Sequence, residues 1–147
     1  MVYTVTFNPA VDYIVHTKQL IAGATNRSDS EEIYFGGKGI NVSIVLSELG
    51  VKSKALGFVA GFTGEAIEKG VAEKGIDADF VHLNEGFSRI NVKIKSGEET
   101  ELNGQGPKIT DEAIRELYAK LDEIQDGDTL VLAGLSLIHI SEPTRPY

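Results

Sequence analysis

Glu32-Ile33-Tyr34-Phe35-Gly36-Gly37-Lys38-Gly39-Ile40-Asn41-Val42-Ser43 is the stretch that decides how this chain folds. Glu32 to Phe35 is a short β-type run, and the paired glycines carry the chain out of it and into a helix. Within that helix Val42, Val45, Leu46 and Leu49 recur at i, i+3, i+4 and i+7, one apolar stripe that predicts a core-facing side. Gly50 then stops it as a C-terminal glycine does.

The same alternation continues on both sides. Tyr3, Val5 and Phe7 alternate with Thr4 and Thr6, a half-buried strand ending at the turn signal Asn8-Pro9-Ala10. Lys54 to Ala60 is a strand, Thr63 is placed to cap a helix running to about Lys74 before Gly75, and Asp79 to His82 is a short strand. Thr110 caps a third helix, with Asp111 and Glu112 in its first turn, where the positive dipole end favours them. Its stripe is Ile114, Leu117, Tyr118 and Leu121, and Asp128 to Ala133 reads as a buried strand. Strands alternating with helices of this length predict an α/β fold with a mainly parallel sheet flanked by helices.

One piece does not fit that layer. Ser88 to Lys95 alternates strictly, turns at Ser96-Gly97 and returns through Glu98 to Leu102, a β-hairpin with lysines on one arm and glutamates on the other. Ile90, Val92 and Ile94 form an apolar face that needs a cover. With strands near 11–16 and 29–35, the segment 88–103 predicts a small second sheet, serving as a lid, a dimer surface, or both.

The 147 residues allow one modest core. The formal charge of −8, from 22 acidic and 14 basic residues, lacks the basic footprint that nucleic acid requires. A few cations aimed at one pocket can still bind a small anion. No apolar run approaches bilayer-spanning length, no signal-peptide pattern follows Met1, and there is no cysteine for a disulfide or a thiolate metal site. A cytoplasmic location, with neither nucleic acid nor membrane as partner, is the expectation.

The strongest site signal is Gly36-Gly37-Lys38-Gly39-Ile40-Asn41. Paired glycines let backbone N–H groups approach an anion at the positive end of the helix, Lys38 adds a mobile cation, and Asn41 lies three residues on, along the same helical face. The run is neither a Walker A loop nor a dinucleotide fingerprint, and it also reads as a plain glycine turn before a helix. Asp12 sits just past the end of a parallel strand, where open α/β sheets bind ligands; it could accept hydrogen bonds from sugar hydroxyls or be a turn aspartate. Arg89 and Asn91 project from the polar side of the hairpin arm, as site residues or as solvated strand surface.

Taken together, these motifs resemble the ribokinase-type sugar kinases, the PfkB family, in their phosphosugar branch. Asn8-Pro9-Ala10-Val11-Asp12, Asn26-Arg27, Gly36 to Ser43, Gly61-Phe62-Thr63-Gly64, Arg89 to Ile94, Glu99 to Gly104 and Gly106-Pro107 carry the likeness, near-continuously from Val2 to Gly134. The resemblance implies a ribokinase-like fold with a β-sheet lid, and transfer of the ATP γ-phosphoryl group to C6 of fructose 1-phosphate, with Mg2+. A kinase of tagatose 6-phosphate or of another phosphosugar is the nearest alternative. Carried over by position, Asp12 and Asn41 would hold sugar hydroxyls, Gly37 would line the pocket, and Lys38 and Arg89 would hold the substrate's phosphate. Gly36, Arg27 and Asn91 are weaker binding candidates. Family lids often pair between subunits, which implies a homodimer.

The family's Gly-Ala-Gly-Asp motif, whose aspartate deprotonates the acceptor hydroxyl, does not occur in these residues, so no catalytic residue is assigned to this chain. The expectation is that residues 1–134 are the N-terminal part of a truncated kinase domain. Residues 135–147 are expected to be a non-native tail, because Leu135 to Arg145 resembles a translated sequencing adapter. On that reading the chain alone is inactive; a non-catalytic phosphosugar-binding or lid-dimerisation fragment is the alternative of another class.

Overall fold

The structure is a computed structural model and describes residues 1–133. Strands β1 (Val2–Thr6), β4 (Ser53–Ala60), β5 (Asp77–Ala78), β6 (Val81–Leu83) and β9 (Thr129–Leu132) form the main sheet. Its order is β5-β4-β1-β9, with β6 also pairing with β4, and all the pairings are parallel. Helices α1 (Lys38–Glu48), α2 (Gly61–Glu73) and α3 (Asp111–Leu121) flank it.

β4 shows why the sheet is a two-faced layer. Seven of its eight residues are buried, as expected of a central parallel strand covered on both sides. Ala55 and Val59 pack with Ile40 of α1 and with Ile67 and Val71 of α2. Leu56 and Phe58 pack with Val5, Val81 and with Ala113 and Leu117 of α3. The two clusters are the two halves of the core.

The second sheet forms as the alternation predicts. Its order is β3 (Ser30–Gly36), β2 (Ala10–His16), β7 (Arg89–Ser96) and β8 (Glu98–Asn103). β2 runs antiparallel to β3 and parallel to β7, and β7 and β8 are the hairpin, with Gly97 at φ 89° in its turn. Lys93 lies opposite Glu101, their charged atoms 3.8 Å apart, and Lys95 lies opposite Glu99.

Register sorts the lid into two faces. One carries the rows Phe35–Val11–Ile90 and Ile33–Tyr13–Val92–Leu102; the other carries Gly36–Ala10–Arg89 and Tyr34–Asp12–Asn91–Asn103. Phe35 and Val11 pack against the α1/α2 side of the core, and the Phe35 ring lies on the backbone of Gly70 in α2. Ile33 and Leu102, farther out on the same face, are exposed. The hairpin's apolar side is thus only partly covered.

Four sequence expectations are corrected. The α1 stripe is not its buried side: Val45 and Leu49 are 53% and 72% exposed, and Gly39, Ile40 and Ser43 face the sheet instead. The reason is a hydroxyl chain, in which Ser43 Oγ lies 2.8 Å from Thr4 Oγ1 and accepts from Ser53 Oγ at 2.9 Å, satisfying polar groups that burial would otherwise penalise. Thr63 is not a cap, because α2 already begins at Gly61 and the Thr63 hydroxyl donates to the Ser88 carbonyl at 2.7 Å. Tyr118 is exposed on α3, which buries Ala113 and Leu117. β9 pairs with β1 but is not buried, because no described strand lies on its other side. The adapter-like reading of 135–147 lies outside the described residues.

The capping expectations at the other helix ends are met. Thr110 Oγ1 accepts from the Ala113 amide at 3.1 Å. At the end of α1, Gly50 at φ 79° donates to the Ser47 carbonyl and Val51 to the Leu46 carbonyl, the paired bonds of a Schellman motif.

Candidate functional site

Four stretches of chain cross between the main sheet and the lid: 7–9 leaving β1, 37 leading into α1, 84–88 leading into β7, and 104–110 leading into α3. The candidate residues gather where they cross. Asp12 is the third residue of β2 and Asn91 its register partner on β7. Asn91 Nδ2 donates to Asp12 Oδ1 at 3.1 Å, and Asn91 Oδ1 accepts the Gly104 amide at 3.2 Å. Asn91 is 8% exposed, so it is a buried bracket rather than solvated surface. Asp12 Oδ2 leans over Gly36, occupying the place where any side chain on Gly36 would stand.

Asp12, Gly36 and Asn41 line one cavity of about 620 Å³, bounded by β3, α1 and α2. Two residues past Gly36, Lys38 opens α1 and is exposed. Gly37, at φ 134°, adopts a conformation that favours glycine, and a Cβ there would lie 2.5 Å from Thr6 Cγ2. That pair of constraints explains the second glycine better than anion binding alone.

Arg89 stands in the row Gly36–Ala10–Arg89, on the same lid face as Asp12. Its Nε donates to the Asn8 carbonyl at 3.0 Å, which anchors the stem of the guanidinium and leaves the terminal nitrogens for another acceptor. Asn8 in turn donates from Nδ2 to the Gln105 carbonyl at 3.1 Å. Asn8 therefore ties two of the crossings, 7–9 and 104–110, to the first residue of β7. In the sequence Asn8 reads as part of a turn and of the Asn8 to Asp12 motif, and nothing in its spacing marks the latch.

Three lysines are committed to carboxylates, and Lys38 and Arg89 are among the cations that are not. Lys54, Lys93 and Lys120 pair with Asp77, Glu101 and Asp79. Among the described residues neither Lys38 nor Arg89 joins an ion pair. Ile33, Phe35, Ile44 and Val71 also line the Asp12 cavity, and Arg89 lines a separate hollow with Gly104 and Gly106; in a chain of net charge −8, Lys38 and Arg89 are two uncommitted cations at this corner of the lid.

Arg27 is not brought into this corner. It lies on the segment 17–29 that joins β2 to β3 beyond His16, at the opposite end of β2 from Ala10. Near that end, His16 Nε2 and Tyr34 Oη lie 2.7 and 2.5 Å from the Glu32 carboxylate. The Tyr34 hydroxyl first, and the His16 ring second, hold the Glu32 carboxyl below the usual carboxylate range, and the same contact raises the Tyr34 hydroxyl.

A βα sheet carrying a four-stranded lid, with glycines and a free lysine at the hinge, points to carbohydrate kinases, and the sequence profile of the pfkB family carbohydrate kinases matches residues 5–144. The chain belongs to the pfkB family. It is 52% identical over 134 residues to a 1-phosphofructokinase of Bacillus subtilis, covering 91% of this chain and 44% of that protein. It is 41% identical over 134 residues to a D-tagatose-1-phosphate kinase of Bacillus licheniformis, with the same coverage. Among solved structures, phosphofructokinase-2 from Escherichia coli, in complex with substrates and products, superposes with a TM-score of 0.82 at 27% identity. That match covers 90% of this chain and 44% of the other. The ribokinase-like α/β fold with its small separate sheet is thus that of the family, and the chain spans less than half the length of these relatives.

Proposed function

We propose that the complete protein carrying this sequence is a 1-phosphofructokinase, which transfers the γ-phosphoryl group of ATP to the C6 hydroxyl of fructose 1-phosphate. The observation that carries this reading is Asp12, held by Asn91 over Gly36 and lining with Gly36 and Asn41 one cavity at the base of the lid. Asp12 and Asn41 take sugar hydroxyls, and Gly36 and Gly37 keep the approach open. Lys38 and Arg89 hold the phosphate at C1, each charge-assisted contact contributing about 1.5–3 kcal/mol. Asn91 orients Asp12, and the lid excludes water once the sugar is bound.

Phosphoryl transfer needs an acceptor base and an oxyanion-type cradle for the transferring group. The family's Gly-Ala-Gly-Asp motif for these roles does not occur in the 147 residues, so this chain alone is proposed to bind without turnover. ATP with Mg2+ is the proposed donor. The described residues contain no group of three or more His, Asp or Glu placed to hold a metal, and no step of transfer is assigned to them. Residues 1–134 are proposed as the N-terminal part of the kinase domain and 135–147 as a non-native tail, which sequencing the source DNA across residue 134 tests.

The exposed outer part of the lid's apolar face, around Ile33 and Leu102, supports a homodimer in which two lids cover each other. Among the described residues no helix is long and apolar enough to cross a membrane; the proposed location is the cytoplasm.

D-tagatose 1-phosphate is a second reading, supported by the likeness to the B. licheniformis kinase. It keeps the phosphate at C1 and inverts C4. Steady-state kinetics of the complete protein on fructose 1-phosphate, D-tagatose 1-phosphate, tagatose 6-phosphate and fructose 6-phosphate test both readings. The highest kcat/KM is expected on fructose 1-phosphate; a preference for either 6-phosphate would overturn the placement of the substrate phosphate.

A further inference from the structure

Helix α1 starts without a side-chain cap of its own. Its N-cap residue is Gly37, which has no side chain to offer, although the first N–H groups of a helix need acceptors. The acceptor comes from elsewhere in the chain. Thr6, the last residue of β1, accepts the Ile40 amide on its Oγ1 at 3.0 Å. Ile40 is the third residue of the helix, the position that a serine or threonine cap ordinarily serves from the N-cap itself.

Thr6 also sets where the loop lies. Its methyl group is the atom that a Cβ on Gly37 would strike, and its hydroxyl the atom that a Cβ on Gly39 would strike. It is 3% exposed, so its side chain is fixed by its surroundings. Among the described residues the amides of Lys38 and Gly39 find no acceptor. Thr6 thus takes one amide of the first turn, two residues on from the exposed Lys38.

We propose that Thr6 is a positioning residue for phosphosugar binding: from the strand it caps α1 and fixes the roll of its first turn, so that Lys38 and Asn41 are presented to the substrate together. The inference rests on the phosphosugar reading above. Thr6 touches no substrate; it acts through the loop. A role confined to stability would affect all ligands alike, as would loss of a threonine cap on any other helix. A positioning role affects the sugar side alone and depends on the hydroxyl.

The test is steady-state kinetics of the complete protein with Thr6→Val, Thr6→Ser and, as a matched control, Thr110→Val. Thr110→Val removes the threonine cap of a different helix, α3, the one that accepts the Ala113 amide. Thr6→Val is expected to raise KM for fructose 1-phosphate about tenfold, leaving KM for ATP within about twofold. Thr6→Ser keeps the acceptor and is expected to stay within about threefold of the parent, and Thr110→Val is expected to leave both KM values unchanged. The inference is overturned if Thr6→Val leaves the sugar KM unchanged, if both KM values rise together, if Thr110→Val has the same effect, or if Thr6→Val yields no folded protein. An unsubstituted protein inactive on every phosphosugar would remove the parent reading, and this inference with it; an active one with a normal Thr6→Val variant would remove this inference alone.

Discussion

Asn91 holds Asp12 by a single side-chain bond, Nδ2 to Oδ1 at 3.1 Å, while its own carbonyl oxygen is fixed by the Gly104 amide. The amide thus links the end of β8 to the carboxylate that overhangs Gly36. One carboxylate oxygen is committed to orientation and the other is left for a ligand.

Asn91→Ala is expected to free Asp12 to rotate, while the Gly104 amide keeps its other acceptor, the Ile90 carbonyl at 3.2 Å. The predicted result is about a tenfold rise in KM for the phosphosugar and a loss of about 1–2 kcal/mol of stability. Asn91→Asp should be worse for binding, because it places a second carboxylate against Asp12. Kinetics with urea unfolding of the same variants would check both; unchanged binding in both variants would remove Asn91 from the site.

Arg89 divides its guanidinium between Asn8 and the crossing. Lysine offers one ammonium and no fork, so it cannot keep the backbone bond and meet a phosphate in the same geometry. Arg89→Lys is therefore expected to lose roughly 10- to 100-fold in kcat/KM on fructose 1-phosphate despite the conserved charge. Near-normal kinetics would mean that charge alone suffices.

Much of this arrangement was legible in the residues. Strict alternation from Ser88 to Lys95 and the turn at Gly97 predicted the hairpin, and Gly50 and Thr110 predicted helix ends that the hydrogen bonds bear out. Periodicity failed on α1 because it reports which side is apolar, not what covers it. The sheet side is chosen instead by Gly39 and by the Thr4–Ser43–Ser53 hydroxyls, whose pairing spans three elements and leaves no local signature. Asn8 was opaque for the same reason: its partners are 81 and 97 residues away. Arg27 matched a motif by position, yet within one chain the lid's length separates it from the hinge.

The misread stripe makes a prediction of its own. Val45 and Leu49 are exposed in the described fold, and the remainder of the complete protein is the proposed cover. Val45→Glu with Leu49→Glu should cost the complete protein about 2–4 kcal/mol, as burying unpaired polar groups does, and should reduce aggregation of the 147-residue chain. Equal stability of the complete protein with and without the two charges would place the stripe in solvent.

Glu32 gives a pH dependence. Its carboxyl is held low by Tyr34 and then by His16, so its contribution is present above the ordinary carboxylate range and is lost as pH falls through the lowered folded value. The pair is exposed, and the effect is local and small. Hydrogen exchange at Ser30–Gly36 should rise on acidification ahead of that at Ser53–Ala60, and Glu32→Gln should abolish the difference. Simultaneous loss of protection in both strands would contradict it.

In the proposed function Lys38 and Arg89 read a phosphate already on the sugar. The most direct measurement is the ratio of kcat/KM on fructose 1-phosphate to that on fructose, for the complete protein and for its Lys38→Met variant. A strong preference for the phosphorylated sugar is expected, falling roughly 10- to 150-fold in the variant, the equivalent of one charge-assisted contact. A ratio that Lys38→Met leaves unchanged would contradict it.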